Sequence, residues 1–435
     1  MEERNPGQPE YLQSVASVIS SIWPVVLANQ QYQDYSLLER LVEPDRSISF
    51  RVSWSDDLGV TRVNRGYRVQ HSATNGPYKG GLRFHPSVNL SVFKFLAFEQ
   101  SFKNALTGLS LGGAKGGADF DPKGKSEAEV MRFCQAFVTE LFRHIGSDTD
   151  IPAGDIGVGV REIGYMTGMY RKLTNRSDCV FTGKGVSFGG SLLRPEATGY
   201  GVIYLTMLML RELRLDLDGL RVGISGSGNV AQFAIKKAMQ LGAKVVTVSD
   251  TGGTVIDEEG MTDDKLNELM RIKNVLRGRV EDYAKNVGLT FNANMKPWTY
   301  PIDVAIPCAT QNELDFKDAQ SLISNGVRVV VEGANMPVTA EAVNLFESNK
   351  VLFAPGKASN AGGVATSGLE MAQNVTRTQW SADRVDVELL KIMTDIHFDC
   401  MKHGLELDGK INYRAGANRA SFIRLADSML AQGVI

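Results

Sequence analysis

A glycine-rich turn at residues 226–231 constrains the fold of this chain more than any other stretch. Gly226-Ser-Gly-Asn-Val-Ala follows an apolar run typical of a strand, and it precedes an amphipathic pattern typical of a helix and then a second strand. In this context Gly226, Gly228, Asn229 and Val230 would bring a helix N-terminus close to a pyrophosphate. We therefore expect an α/β, Rossmann-like, doubly wound domain that binds a dinucleotide. A doubly wound domain that merely turns on glycine is the alternative.

The length of the chain predicts more than one domain. Its 435 residues exceed the ~250–300 at which a single hydrophobic core stops growing. We expect residues 1–188 to form a substrate-binding and oligomerisation domain that the C-terminal helix at 412–435 joins. Residues 189–411 would form the dinucleotide-binding domain, with strands at 220–225 and 244–249, further strands near 302–306, 327–332 and 351–354, and a later helix that Ser367 begins.

The first domain is expected to combine helices with a hairpin. Residues 10–41 have a helical pattern that Pro24 interrupts, and residues 47–54 and 60–70 alternate as the two strands of a hairpin. Ser91 is expected to cap a helix at 92–106.

The composition excludes several classes of function. The chain has 47 basic and 49 acidic residues, so its near-neutral charge gives no reason to expect nucleic acid or an anionic membrane as a partner. Four scattered cysteines predict neither a zinc site nor a disulfide framework, and the five histidines form no HExxH motif. The charged N-terminus lacks the apolar stretch of a signal peptide. We expect a cytoplasmic enzyme without a metal.

Lys115 lies between two glycine pairs, in the stretch Gly-Gly-Ala-Lys-Gly-Gly. Glycines permit tight backbone geometry and let other groups approach the ammonium. Enclosure would remove water from Lys115 and lower its pKa towards the range of proton exchange. The alternative is a glycine-rich hairpin whose lysine points into water.

Three more candidate residues have a structural alternative. Gln100 and Lys103 share one face of a predicted helix, but Glu99 lies four residues before Lys103 and a surface ion pair would explain that lysine. Asp155 lies in a Pro/Gly-rich turn, where an aspartate most often bonds its own backbone or caps a helix. Taken alone, neither the Gln100–Lys103 pair nor Asp155 predicts a catalytic or binding role.

The cofactor type depends on the end of the second strand of the glycine fingerprint. Asp250 follows that strand, where an acid normally bonds the ribose 2′-hydroxyl and favours NAD. Hydroxyl groups and basic side chains nearby favour NADP instead, because they would bind a 2′-phosphate. The hydroxyl groups are those of Ser249, Thr251 and Thr254, and the basic residues, expected on the next helix, are Arg277, Arg279 and Lys285. A solvated face of that helix is the alternative interpretation of the basic residues.

Seven motifs spread over nearly the whole chain resemble the glutamate dehydrogenase family in its bacterial-type hexameric form, closest to the NADP-specific biosynthetic branch. They are YKGGLRFHP, FEQSFKNALTGLSLGGAKGG, PAGDIGVG, LRPEATGYG, GSGNVA, EGANMP and APGKASNAGGVATSGLEM.

The resemblance implies a role for each matching residue. Lys115 resembles the catalytic lysine that polarises the carbonyl, and Asp155 resembles its proton-shuttling partner. The implied substrate contacts are Lys79 and Ser367 at the γ-carboxylate, Gln100 and Lys103 at the α-carboxylate, and Ala153 and Val364 along the side chain. The implied cofactor contacts are Thr198, Asn335 and Asn360, with Arg194 in the loop of Thr198.

The resemblance also implies an activity. The reaction would be reversible reductive amination of 2-oxoglutarate with ammonium and NADPH, or NADH, in a homohexamer. Two rivals remain. A dehydrogenase for an apolar amino acid would share Lys115 and Asp155 but has no use for a cation like Lys79 at the far end of its substrate. A catalytically silent paralogue would lack a proton-transfer group, and none is missing here.

Overall fold

The protein is described by a computed structural model that covers residues 1–434. The last residue of the predicted 412–435 segment, Ile435, lies outside the described residues. By its internal contacts the chain divides into two compact units. The first unit contains Met1–Arg194, Val364–Val385 and the chain from Asn418 onward, and the second contains Pro195–Gly363 and Asp386–Ala417.

Both units combine helices with a β-sheet. The strands are β1 (Arg46–Ser55), β2 (Thr61–Ser72), β3 (Tyr78–Phe84), β4 (Gly113–Ala118), β5 (Asp150–Gly154), β6 (Arg221–Ile224), β7 (Lys244–Asp250), β8 (Gly253–Ile256), β9 (Phe291–Ala293), β10 (Val304–Ile306), β11 (Val329–Val331) and β12 (Leu352–Ala354). The helices are α1 (Pro9–Ala28), α2 (Gln30–Asp34), α3 (Leu37–Leu41), α4 (Leu90–Leu106), α5 (Glu127–Leu141), α6 (Val160–Thr174), α7 (Ala197–Glu212), α8 (Asn229–Gln240), α9 (Asp263–Met270), α10 (Val280–Val287), α11 (Phe316–Ser324), α12 (Ala340–Ser348), α13 (Gly356–Ser359), α14 (Gly362–Thr376), α15 (Ala382–Gly404) and α16 (Tyr413–Gln432).

The first unit is built on a five-stranded sheet with the order β1-β2-β4-β3-β5. The stretch around Lys115 is not a hairpin in water, because it forms β4, a buried strand between β2 and β3. Its glycines are needed for packing: a Cβ at Gly113 would collide with Ser101 of α4. This close approach explains why so many glycines surround one lysine.

Strand β3 separates the hydrophobic core from a polar face. Leu82 and Phe84 point into a core that α5 and α6 cover, where Phe120 and Phe133 stack with ring centroids 3.8 Å apart. Because side chains alternate along a strand, Lys79, Gly81 and Arg83 occupy the opposite face. The core therefore fixes the direction of these three residues.

Helix α1 is long and apolar enough to cross a membrane by length and composition alone, the only such helix among residues 1–434. Core helices of soluble proteins pass the same test. The buried side of α1, including Tyr11, Val18 and Ile22, packs in one cluster with Phe98 of α4 and Phe422 of α16. This packing accounts for the apolar face.

The helical segments differ from expectation in three places. The stretch 10–41, expected as one helical region that Pro24 interrupts, forms three helices with Pro24 inside α1. Asn89 rather than Ser91 caps α4, because the Ser91 hydroxyl donates to Glu10 instead. Ser367, expected to begin a helix, lies inside α14.

The second unit contains the expected doubly wound sheet, with the order β12-β11-β10-β6-β7-β8-β9. Strands β12, β11, β10, β6 and β7 are parallel, and their positions match the sequence prediction to within two residues. The antiparallel strands β8 and β9 were not predicted. They are short, and their periodicity is correspondingly weak.

The units differ from the predicted domain limits 1–188, 189–411 and 412–435. Residues 364–385 belong to the first unit because α14 carries Glu370 and Ser367, which hydrogen-bond Gly183 and Arg194 there. The second unit extends to Ala417, since Arg414 forms an ion pair with Glu347.

Candidate active site

Lys115 and Asp155 meet in the first unit. Lys115 lies in β4, is 7% exposed, and its Nζ is 3.1 Å from Oδ2 of Asp155. Asp155 follows β5 in a tight turn. Backbone hydrogen bonds between Asp155 and Val158 close this turn. Burial lowers the pKa of Lys115, and the negative charge of Asp155 partly opposes this shift. Burial raises the pKa of Asp155, but the positive charges of Lys115 and Arg83 outweigh burial, so the net pKa of Asp155 is lowered. The pair can exchange a proton with a bound molecule.

Lys79 supplies a second buried cation in the same unit. It is 1% exposed, and its Nζ donates to Thr182 Oγ1 at 2.7 Å and to the carbonyl of Ile151 at 3.0 Å. Burial lowers its pKa to about 7, which the charge of Glu370 partly opposes. An anionic ligand would restore its positive charge.

Arg194 and Ser367 lie together in the first unit. The Arg194 Nε donates to the Ser367 hydroxyl at 3.2 Å. The sequence placed Arg194 among the cofactor contacts. The structure puts it in the first unit, close enough to Lys79 for its charge to lower the pKa of that lysine. Glu370, also on α14, is fully buried and ion-paired with Lys184 at 2.7 Å.

Helix α4 carries the remaining polar candidates. Gln100 donates to Asn104 at 2.7 Å, and Asn104 in turn donates to the carbonyl of Lys79, so the helix is tied to β3. Burial and then the nearby charge of Lys115 lower the pKa of Lys103 to about 7. Glu99, the alternative partner of Lys103, accepts a hydrogen bond from Ser14.

The two apolar candidates lie in the same unit. Ala153 is a buried residue of β5, two positions before Asp155. Val364 begins the segment of α14 that belongs to the first unit and is half-buried. All eight residues expected to bind substrate or catalyse are therefore in one unit.

Several charged residues of this region were not singled out from the sequence. Arg83 donates to Asp155 Oδ2 at 3.1 Å. Arg68 and Asp150 form a fully buried ion pair, and the Arg68 Nη1 also donates to the carbonyl of Gly80 at 3.1 Å. The alternation of Lys79 and Arg83 on one strand was the available signal for Arg83. Arg68 and Glu370 are isolated charged residues in the sequence, and no sequence signal indicated their buried partners.

The glycine turn in the second unit has the geometry of a phosphate site. Gly226 has a left-handed φ of 81°, and its N–H donates to the Ser249 hydroxyl at 2.9 Å. Gly228 is the N-cap of α8 and offers no side-chain cap to its first N–H groups, and a Cβ there would meet nothing within 4 Å. Asn229 donates to the carbonyl of Pro195, while Val230 lies in the first turn.

Asp250 is held by its own surroundings. Its Oδ1 accepts from the N–H of Gly252 at 2.8 Å, and its Oδ2 accepts from the N–H of Val280 at the start of α10 at 2.9 Å. Lys273 lies 3.9 Å from the same carboxylate. These bonds turn both oxygens towards the protein.

The other candidates for a phosphate contact divide into two groups. Arg279 precedes α10 and donates to Thr251 at 3.0 Å, and both side chains are exposed. Thr254 is fully buried and donates to the carbonyl of Met295, so it does not face solvent. Lys285 pairs with Glu281 on α10, and Arg277 lies in the preceding loop rather than on the helix.

Two loops after β11 and β12 are joined by side chains. The Glu332 carboxylate accepts from the N–H of Val338, which follows β11, and from the N–H of Gly356, which begins α13 after β12. Asn360 donates to Asn335 Oδ1 at 3.0 Å. Thr198 is the second residue of α7. These three candidate cofactor residues all belong to the second unit.

Among residues 1–434, no group of three His, Cys, Asp or Glu side chains is arranged to hold a metal ion.

The two units provide different chemical groups. The first unit provides buried cations around a lysine–aspartate pair. The second provides a glycine turn and a helix N-terminus.

Two family descriptions match the chain. The description Glutamate/Leucine/Phenylalanine/Valine dehydrogenase matches residues 189–433, and the description Glu/Leu/Phe/Val dehydrogenase, dimerisation domain, matches residues 44–172. Together the two matches include every candidate residue named above.

Known proteins match over the full length. The NADP-specific glutamate dehydrogenase of Escherichia coli (strain K12) is 61% identical, over all of this chain and 97% of the relative. The NAD-specific glutamate dehydrogenase of Bacteroides fragilis (strain YCH46) is 53% identical over all of this chain and 98% of the relative. The crystal structure of Plasmodium falciparum glutamate dehydrogenase has a TM-score of 0.98 at 48% identity and covers all of this chain and 93% of that one.

Proposed function

Because the chain belongs to the glutamate, leucine, phenylalanine and valine dehydrogenase family, we propose that it interconverts 2-oxoglutarate and L-glutamate with ammonium and NADP(H). One observation carries the choice of substrate: the fully buried Lys79 and Lys103 on α4 each lie close enough to Arg194 for its charge to act on them, so several cations occupy the first unit. A substrate with two carboxylates matches this charge. A leucine- or phenylalanine-type substrate would give the buried Lys79 ammonium no carboxylate to pair with, which is costly.

Each side chain then has a separate task. Lys79 and Ser367, with Arg194, hold the distal carboxylate, and Gln100 and Lys103 hold the α-carboxylate. The Lys115 ammonium donates to the substrate carbonyl oxygen and stabilises the negative charge that develops there. Asp155, hydrogen-bonded to Lys115, carries protons to and from the reacting nitrogen. Ala153 and Val364 line the methylene groups between the two carboxylates.

The second unit fits a dinucleotide. The uncapped N–H groups at the start of α8 and the open space at Gly228 suit a pyrophosphate. Asn335, Asn360 and Thr198 are proposed to contact the nicotinamide ribose side. When bound, NADPH supplies the hydride.

NADP is favoured over NAD by the contacts of Asp250. Both of its oxygens accept backbone hydrogen bonds, which reduces its capacity to bind a ribose 2′-hydroxyl. The exposed Arg279 and Thr251 beside it can bind a 2′-phosphate. The 61% identical relative is NADP-specific, in agreement with this assignment.

The catalytic assignment is tested with Lys115→Ala and Asp155→Asn. Each variant should lower kcat for 2-oxoglutarate amination by about 10²–10⁴-fold, because positioned acid–base groups contribute that much. Lys123→Ala, at an exposed position, is the matched control. Wild-type rates in a folded Lys115→Ala or Asp155→Asn protein would overturn the mechanism, and an inactive wild type would favour a silent paralogue.

The family match supports an oligomer, since residues 44–172 correspond to a dimerisation domain. We extend this to a homohexamer, as the resemblance implies, and propose a cytoplasmic location. Sedimentation equilibrium would then give six times the chain mass of 47.5 kDa.

A further inference from the structure

Arg83 contacts the proposed catalytic residue Asp155 but has no role in the reaction described so far. It lies four residues after Lys79 on β3, on the same face of the strand, while Leu82 and Phe84 hold the other face in the core. Its side chain is 18% exposed. The hydrophobic core therefore aims Arg83 at the polar side.

Arg83 and Lys115 bind the same oxygen. The Arg83 Nε and the Lys115 Nζ are each 3.1 Å from Oδ2 of Asp155. The space is tight, because a Cβ at Gly81 would lie 2.9 Å from the Asp155 Cβ and 3.3 Å from the Lys115 Nζ. The carboxylate is confined between two cations and a strand that tolerates only glycine at this position.

We propose that Arg83 is a positioning residue that keeps the Asp155 carboxylate in place and ionised when Lys115 turns its ammonium to the substrate. This inference rests on the proposed function. With a single cation, Asp155 would lose its only ionic partner whenever Lys115 engaged the carbonyl. With Arg83 present, one ion pair persists, and Asp155 can still accept a proton from the reacting nitrogen.

The charges around Asp155 give the sign of the effect. Lys115 on β4, Arg83 on β3 and Lys103 on α4 are the charged groups that interact with it. Burial raises the pKa of Asp155, whereas Lys115 and then Arg83 lower it, and the net pKa is lowered. Loss of the Arg83 charge therefore raises the pKa. For glutamate oxidation, which needs the ionised carboxylate, the acidic limb of the rate profile then moves to higher pH.

The test compares Arg83→Gln, which removes the charge, with Arg83→Lys, which keeps it. Arg62→Gln is the control, because Arg62 forms a similar pair with Asp56, at 2.9 Å, away from this site. The measurement is kcat/KM for L-glutamate oxidation by NADP⁺ as a function of pH. Arg83→Gln should move the acidic limb to higher pH and lower kcat by about tenfold or more, since small misplacements of a reacting group cost up to ~100-fold.

Arg83→Lys should keep the limb near its wild-type position, with a reduced kcat and an unchanged KM for glutamate. A profile of Arg83→Gln that superimposes on that of an active wild type overturns the inference while the proposed function stands. If Arg83→Gln does not fold, Arg83→Lys decides, and an acidic limb that moves to higher pH although the positive charge is retained overturns the inference as well. An inactive wild type would instead count against the proposed function.

Discussion

At the scale of single residues, the buried lysines account for the proposed selectivity. Replacing Lys79 by Leu removes the cation at the far end of the substrate, so kcat/KM for 2-oxoglutarate should fall about 30-fold or more, the equivalent of ~2 kcal/mol for a buried charged contact. The activity ratio of 4-methyl-2-oxopentanoate to 2-oxoglutarate should rise. Lys123→Leu, at an exposed position, should change neither. Undiminished 2-oxoglutarate turnover by Lys79→Leu would refute the assignment of this pocket.

The same lysines predict a pH dependence of substrate binding. Burial lowers the pKa of both Lys79 and Lys103 to about 7. Their positive charge is therefore present below this pH and is lost as the pH rises through it. KM for 2-oxoglutarate should increase from neutral to alkaline pH, and binding should take up protons, which calorimetry in two buffers of different ionisation enthalpy measures. A pH-independent KM would contradict the proposed role of the lysine charges.

The sequence allowed individual candidate residues to be selected, but it did not show which side chains they contact. The enclosure of Lys115 was predictable, because four glycines around a lysine are unusual. Its contact with Asp155 was not, since β4 and β5 meet only through β3. Glu370 and Arg68 were missed because an isolated charged residue does not show whether its partner is water or a buried ion. Arg194 was grouped with the cofactor contacts by its place in a loop, and its hydrogen bond to Ser367, 173 residues away in sequence, was not predicted.

At the scale of elements, the start of α10 is the proposed 2′-phosphate site. Arg279 precedes this helix and donates to Thr251. Arg279→Ala should lower kcat/KM for NADPH by about tenfold, because one charged hydrogen bond to phosphate is lost, and should leave the value for NADH unchanged. Lys285→Ala on the same helix, where Lys285 pairs with Glu281, is the control. An equal effect of Arg279→Ala on both cofactors would place the phosphate elsewhere.

Some strands and helices could be predicted from their sequence patterns, and others could not. The parallel strands of the second unit and the hairpin of β1 and β2 were predicted, because their apolar residues alternate or run together. Strand β4 was open to misreading as a hairpin. It consists mostly of glycine and is buried by its neighbours rather than by its own side chains. The position of Ser367 inside α14 was misjudged because a run of glycine and asparagine precedes that helix.

At the scale of the whole molecule, the number of units was predictable and their membership was not. Length and one glycine fingerprint suffice to predict two units. The chain, however, passes between them four times, and residues 364–385 return to the first unit. Side chains such as Glu370 cause this return, through hydrogen bonds to residues almost two hundred positions earlier. Local sequence patterns carry no information about such contacts.

The central claim is that the whole chain is an NADP-linked glutamate dehydrogenase. The most direct test is the initial rate of 2-oxoglutarate amination by the purified protein at saturating ammonium, with NADPH and NADH in parallel and L-glutamate measured as product. We predict one glutamate formed per NADPH oxidised, and a much higher rate with NADPH than with NADH. A preference for NADH would contradict the cofactor assignment, and the absence of glutamate with either cofactor would contradict the claim itself.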